Sequence, residues 1–431
     1  MSDDADRRIR QLVDARMQAL AEGKLQDAAR LLHQARTEAP ANPLVMNEMA
    51  RELLEAGHAE RAIELLEAAT KSGPTEASIW LTKAAALHQL NRFDEEMAAL
   101  DRTLALNPRE LWALLQKGVL QEAKGDARGA AQSFRNALRA VPPGVKLPAP
   151  MLPMLRRAQQ AAEANNRALE QFLEARLAAV RKEHAGADLG RADQCMATLL
   201  QKEPIYRSMP SFLYFPRIPA IEFHDRDAFP WLDELEAATD DIRREAESVL
   251  AEGPQMLDPY ISHPGGNPND PWKHLNNSRR WGVFYLWRES VPMPQNIARC
   301  PRTVEALASW SPWDIPGSGP TAMFSVLEPR TRIPPHCGVS NARLVIHLPL
   351  IVPERCGFRV GAQRREWHPG KAFLFDDTIE HEAWNDSDSG RVVFIIDIWN
   401  PSLSLAERDH VRAMTSGIGE YYGPGTTMRE T

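Results

Sequence analysis

The sequence predicts an all-α superhelix of stacked helical hairpins, followed by an antiparallel β domain of the sandwich, barrel or jelly-roll class with flanking helices. Three observations predict it. Two independent series of marker residues recur every 34 positions through the first third of the chain. From about residue 204 the helical period gives way to short apolar runs of strand length. Proline and tryptophan become frequent at the same point. A chain of 431 residues has room for two or three domains, each with its own core.

The repeat comes first. Gly23, Gly57, Asn91 and Gly125 share one phase, and Pro40, Pro74, Pro108 and Pro142 share another. Gly or Asn suits the turn inside a helical hairpin, because it adopts a left-handed backbone at low cost. Proline ends the second helix of each unit. Ala28, Ala62 and Ala130 hold a third phase, broken by Glu96; a small residue there lets two helices approach closely. Between markers the pattern is helical, as in "AERAIELLEAAT". Coincidental hairpins would not keep two series in register. Residues 7–142 thus resemble four tetratricopeptide repeats, a fold whose concave face commonly holds peptides. The plainer alternative is that the array only supports or dimerises the second domain. We place this repeat domain at 1–142. After the linker "PPGVKLPAP", helical periodicity resumes over 151–200, broken near "EHAGADLG". Residues 143–203 therefore read as capping and linker helices.

The third segment, 204–431, reads as strands. It opens with an extended stretch and one amphipathic helix, roughly 229–251. Beyond the helix lie the strand-length runs "WGVFYLW", "AMFSVLE", "RLVIHLPLIV", "GFRVGA", "KAFLFDD" and "RVVFIIDIW". Turn residues separate them in "LEPRTRIPPHCG", "VPERCG", "WHPGK" and "NDSDSG". No GxGxxG, P-loop or GxSxG occurs, so nothing argues for a nucleotide fold or a serine hydrolase.

Composition excludes further classes. A net charge of −7 gives no electrostatic reason to expect nucleic acid or an anionic membrane as partner. The N-terminus "MSDDADRRIRQLVDARMQAL" lacks the apolar core of a signal peptide. No apolar stretch of about 18 residues exists to cross a bilayer. Cys195, Cys300, Cys337 and Cys356 have no paired spacing, which fits free thiols in a reducing compartment. The expectation is a cytoplasmic protein.

The chemistry concentrates in two stretches. "PPHCGVSNARLVIHLPL" (334–350) carries His336 and His347, and "FDDTIEHEAWNDSDSGRVVFIIDIW" (375–399) carries His381 and Arg391. Iron(II) oxygenases that use 2-oxoglutarate usually bind the metal through two histidines and one carboxylate, spelled HxD and a distant His. Here Cys337 and Gly338 follow His336, so that carboxylate is missing. Arg391 lies ten residues after His381, where this chemistry places the fork that grips the far carboxylate of 2-oxoglutarate.

The combination resembles the aspartyl/asparaginyl β-hydroxylase family, whose jelly-roll (double-stranded β-helix) oxygenase domain is known for HxG in place of HxD. The two stretches above are similar to its ligand segments, and "YFPRIPAIEFHDRDAFPWLDELEAATDDIRREA" to its leading helix. The likeness spans about 210–405. It implies His336 and His381 as iron ligands, with water replacing the carboxylate. It implies Arg391 and Ser325 on the distal carboxylate of 2-oxoglutarate, and His347 and Trp281 lining that site. One departure stands out: the best-known animal member has a second arginine where this chain has Val345. Arg343 is the nearest replacement, on the same face by strand alternation, and is expected to take a carboxylate of cosubstrate or substrate. An acidic-residue preference is therefore open here.

The plainer readings stand beside these. His368 reads as a turn residue, and His263 and His274 as part of a loop with no assigned role, placed where a substrate lid would be. Asp376 and Asp377 read as ending a strand and orienting neighbours. Cys337 reads as a small filler.

The leading functional expectation is an iron(II)- and 2-oxoglutarate-dependent hydroxylase that consumes dioxygen. Its substrate would be an Asp or Asn side chain in a peptide held by the repeats, or a small molecule. The alternative is a non-catalytic adaptor whose jelly roll is a degenerate ligand-binding module. Against it, decay would not spare His336, His381, Arg391 and Ser325 together.

Overall fold

A computed structural model describes residues 3–72, 76–142, 144–145, 147–149, 151–263, 270–315 and 317–422. The chain divides into two compact units, Met1–Asp188 and Leu189–Thr431.

The first unit is a run of antiparallel helix pairs: α1 (Asp3–Ala21) with α2 (Leu25–Glu38), α3 (Pro43–Glu55) with α4 (Ala59–Ser72), α5 (Ala77–Gln89) with α6 (Phe93–Leu106), and α7 (Leu111–Ala123) with α8 (Ala127–Ala140). The expected turn residues all have positive φ: Gly23 +72°, Gly57 +80°, Asn91 +55° and Gly125 +79°. Pro40, Pro108 and Pro142 each follow the second helix of a pair; Pro74 lies outside the described residues. Ala28, Ala62 and Ala130 are buried in the helix seams. Glu96, the exception, is buried too, and its carboxylate meets His88 Nδ1 at 3.0 Å. A hydrogen bond thus offsets the cost of a polar group at a small-residue position. Helix α9 (Met151–Glu183) covers α8, with Ala158 packed beside Leu114 and Phe134. It belongs to the first unit, whereas α10 (Gly190–Leu199) begins the second.

The second unit is two antiparallel sheets. Its strands are β1 (Phe223–His224), β2 (Asp258–Pro259), β3 (Trp281–Arg288), β4 (Val291–Pro292), β5 (Ala322–Leu327), β6 (Thr331–His336), β7 (Arg343–Ile351), β8 (Cys356–Val360), β9 (Gln363–Arg365), β10 (Phe373–Phe375), β11 (His381–Asn385) and β12 (Arg391–Trp399). The larger sheet runs β1-β10-β7-β12-β5-β3-β2, with β4 paired to β3; the smaller runs β6-β11-β8-β9. Alternation along each strand splits the large sheet into two faces. Leu344, Ile346 and Leu348 of β7 pack on α11 (Leu232–Ala237) and α12 (Thr239–Leu250), through Leu235, Ile242, Ala246 and Val249. Val345 of β7 and Val393 of β12 face the other way, onto Ile333, Phe358 and Ala383 of the small sheet. The candidate chemistry lies in this second, inter-sheet layer.

Three features differ from expectation. The single helix over 229–251 is broken at Ala238 into α11 and α12. The "TRIPPH" stretch is strand β6 rather than turn, and "HEAWN", which carries no clear strand signal, is strand β11. β6 sits at the edge of its sheet, where Pro334 and Pro335 need not donate to a ladder on both sides.

Candidate active site

β6 and β11 run antiparallel, and His336 and His381 are direct cross-strand partners. Their ring centroids lie 4.0 Å apart. His336 Nδ1 bonds to the Pro334 carbonyl at 2.8 Å, and His381 Nδ1 to the Ile379 carbonyl at 3.1 Å. A ring that donates from Nδ1 is the tautomer whose Nε2 carries a free lone pair. Burial holds both rings neutral: His336 is pushed down to about 3, with His381 adding to it, and His381 to about 4. Two neutral nitrogens, each oriented by a backbone carbonyl, suit a divalent metal. Among the described residues no group of three His, Cys, Asp or Glu side chains is arranged to hold one.

Gly338 shows what occupies the space of the missing carboxylate. A Cβ there would fall 2.1 Å from Asp377 Oδ2. That oxygen is fixed by Arg343 Nη2 at 2.6 Å, and Gly338 N donates to the Asp377 carbonyl. Gly338 is therefore required by a close approach, and Asp377 already stands beside the histidine pair.

Both histidines line a cavity of about 260 Å³, together with Trp281, Ser325, Arg343, His347 and Arg391. All seven residues singled out from the sequence thus share one cavity. Arg391, at the start of β12, is only 1% exposed, and its Nε and Nη1 have no hydrogen-bond partner. Burial pushes it down to about 10. Its guanidinium lies 5.0 Å from the Trp367 ring centre. Ser325 accepts from Trp281 Nε1 at 3.1 Å. His347 is buried, stacks on Trp367, and has an unpartnered Nδ1; burial and Arg391 keep it well below the ordinary histidine range. A buried cation with spare donors, a hydroxyl and a neutral imidazole form a receptor for a carboxylate.

Arg343, expected to await a ligand's carboxylate, is engaged within the chain. Besides Asp377 it meets Asp397 Oδ2 at 3.7 Å, and only its Nε is unpartnered. Asp397 comes from β12, a strand distant in sequence, so no local pattern announced it. Asp376 accepts from the Thr378 backbone at the end of β10.

Aromatic residues that sequence reasoning missed close the wall. Tyr260 stacks on Trp281 at 4.0 Å, and Trp272 stands edge-on to His336 at 4.9 Å. Their signal was the aromatic content of a loop otherwise rich in Asn, Pro and Gly. His263, from the same loop, also lines the cavity, whereas His274 bonds to the Arg332 carbonyl. Residues 264–269, within the stretch read as a lid, lie outside the described residues.

Comparison with known proteins agrees with this architecture. Residues 236–401 match the aspartyl/asparaginyl β-hydroxylase family, and 19–80 and 53–118 match tetratricopeptide repeats. The chain is 39% identical over 186 residues to an ornithine lipid ester-linked acyl 2-hydroxylase of Rhizobium tropici, covering 42% of this chain and 62% of that protein. It is 30% identical to the human aspartate β-hydroxylase domain-containing protein 2, covering 57% of this chain and 65% of that one. It is 34% identical to the mouse aspartyl/asparaginyl β-hydroxylase, covering 33% of this chain and 19% of that one. The matched regions thus span less than two thirds of each of these relatives. Among the described residues no helix is long and apolar enough to cross a membrane.

Proposed function

We propose that the second unit, which carries the β-hydroxylase-family match, is an iron(II)- and 2-oxoglutarate-dependent hydroxylase. The observation that carries this reading is Arg391. A guanidinium that is 1% exposed, with two unpartnered nitrogens, costs folding free energy unless a bound anion completes it. It shares its cavity with two neutral imidazoles suited to a metal.

His336 and His381 would hold the iron through Nε2. Arg391, with Ser325 beside it, would grip the distal carboxylate of 2-oxoglutarate, and His347 and Trp281 would flank it. When bound, iron(II) with 2-oxoglutarate and dioxygen supplies the oxidising power for C–H hydroxylation, with succinate and carbon dioxide as co-products. The chain's own part is to bind, orient and exclude water. Tyr260, Trp272, Trp281 and Phe358 give the site an aromatic wall, and a low-dielectric wall strengthens the charge interactions beside it. The substrate is an Asp- or Asn-type side chain in a peptide, or a small molecule, and the helical repeats bind substrate or a protein partner.

Titration of iron(II) into the metal-free full chain under nitrogen, with 2-oxoglutarate present, tests this. A weak visible charge-transfer band that needs both components is expected. Its absence would overturn the reading and favour a non-catalytic ligand-binding module.

A further inference from the structure

The cavity has two polar ends, and they differ in sign. Arg391 and Asp397 project from the same face of β12, six residues apart, which is about 20 Å along a strand. The Arg391 end presents a cation with spare donors. At the other end, Arg343 is flanked by two carboxylates, Asp377 and Asp397. Glu289 also lines the cavity. Val345, directly across the ladder from Asp397, brings no charge.

The acceptors here are not all used. Asp397 is 2% exposed; its Oδ1 accepts from Thr321 N at 3.2 Å, while Oδ2 has no hydrogen-bond donor. Asp377 is 5% exposed, and its Oδ1 has none either. Both side chains line the cavity. An incoming carboxylate would meet two buried carboxylates and one guanidinium that is already engaged. An ammonium group would instead donate to the two oxygens that lack a hydrogen-bond donor, Asp377 Oδ1 and Asp397 Oδ2. The adjoining wall, with Tyr285, Met323, Ile395 and Ile396, is apolar.

We infer that this end is the substrate-recognition subsite, and that it takes the amine of a substrate with an apolar body and rejects a carboxylate there. The inference rests on the proposed hydroxylase only in calling that ligand a substrate. Asp397 is the specificity-determining residue, and Arg343, ion-paired to both carboxylates, offsets their mutual repulsion.

The test compares octylamine with octanoate, equal in chain length, by tryptophan-fluorescence titration of the full chain in excess 2-oxoglutarate at pH 8.5, above the value of about 7 to which burial raises Asp397. Octylamine should bind at least about tenfold more tightly. Asp397→Asn, which keeps shape and the Thr321 contact but removes the charge, should weaken octylamine about tenfold or more and tighten octanoate. Val345→Arg, which sets a second guanidinium opposite Asp397, should reverse the preference. Octanoate binding the parent as well as octylamine does, or octylamine binding unaltered in Asp397→Asn, would overturn the inference. Binding of 2-oxoglutarate is read separately in the same samples; its failure would sink the cosubstrate assignment and leave the amine comparison to decide the subsite.

Discussion

Replacing Arg391 by methionine should weaken 2-oxoglutarate binding and at the same time stabilise the ligand-free chain. Burial lowers the Arg391 pKa from the ordinary arginine value, above 12, to about 10. At about 1.4 kcal/mol per pH unit, that is a folding cost on the order of 3 kcal/mol. For a base whose pKa falls on folding, the cost is present in full at neutral pH. It is relieved only as pH climbs above about 10, where the folded form begins to release its proton. The contact with Trp367 returns up to about 2 kcal/mol of attraction, which the substitution forfeits. Methionine fills much of the same volume without a charge, so the net gain should be roughly 1–2 kcal/mol. Truncating one partner of a buried charged pair costs about 2–5 kcal/mol, so the affinity for 2-oxoglutarate should fall roughly 30-fold to several thousand-fold. Urea unfolding of the metal-free chain gives the first quantity, and calorimetric titration of 2-oxoglutarate into metal-loaded protein the second. A variant less stable than its parent, with unchanged 2-oxoglutarate affinity, would refute the reasoning: Arg391 would then be a structural cation satisfied within the fold.

His336→Ala or His381→Ala should each abolish iron binding without unfolding the domain, since one remaining imidazole cannot hold iron(II) against water; native iron content in either variant would remove the assignment. Because burial keeps the two rings unprotonated until about pH 3–4, iron(II) affinity should change little between pH 7.5 and 5.5; a tenfold loss over that range, seen by anaerobic titration, would contradict the geometry. Gly338→Asp restores the HxD spelling but drives its Cβ into Asp377, and displacing Asp377 from Arg343 breaks a buried pair. The expected cost is about 3–5 kcal/mol by urea unfolding, with no rise in turnover; a stable, faster variant would mean that the native site is a damaged triad. Deleting residues 1–188 should leave a folded second unit that still binds iron and consumes 2-oxoglutarate slowly, while a cut at 142 would strand α9 without the α8 face it covers. If the repeats present the substrate, substrate-stimulated turnover should fall at least about tenfold on that deletion; undiminished turnover would assign them to assembly.

The helical half was legible because its determinants are local. A left-handed turn at Gly23, Gly57, Asn91 and Gly125 and a helix stop at each proline act within a few residues, so a fixed spacing exposes them. Strands β3, β5, β7, β8, β10 and β12 were legible as apolar runs for the same reason. β6 and β11, which carry His336 and His381, were not. "TRIPPH" holds two prolines and "HEAWN" alternates over only five residues, so each is a strand because of the ladder it joins. The candidate ligands, Arg391, Ser325, Trp281 and His347 could be named from motif and resemblance, since spacing along the chain survives without a structure. The state of Arg343 could not. Its partners Asp377 and Asp397 lie 34 and 54 positions away along the chain, and only the stacking of β7 beside β10 and β12 brings three charges together. Motif and resemblance named seven of the residues that line the cavity, though not Tyr260, Trp272 or Asp397. Strand pairing within the larger sheet decided which of them are already satisfied, because the free energy of a buried charge depends on its neighbours in space rather than along the chain.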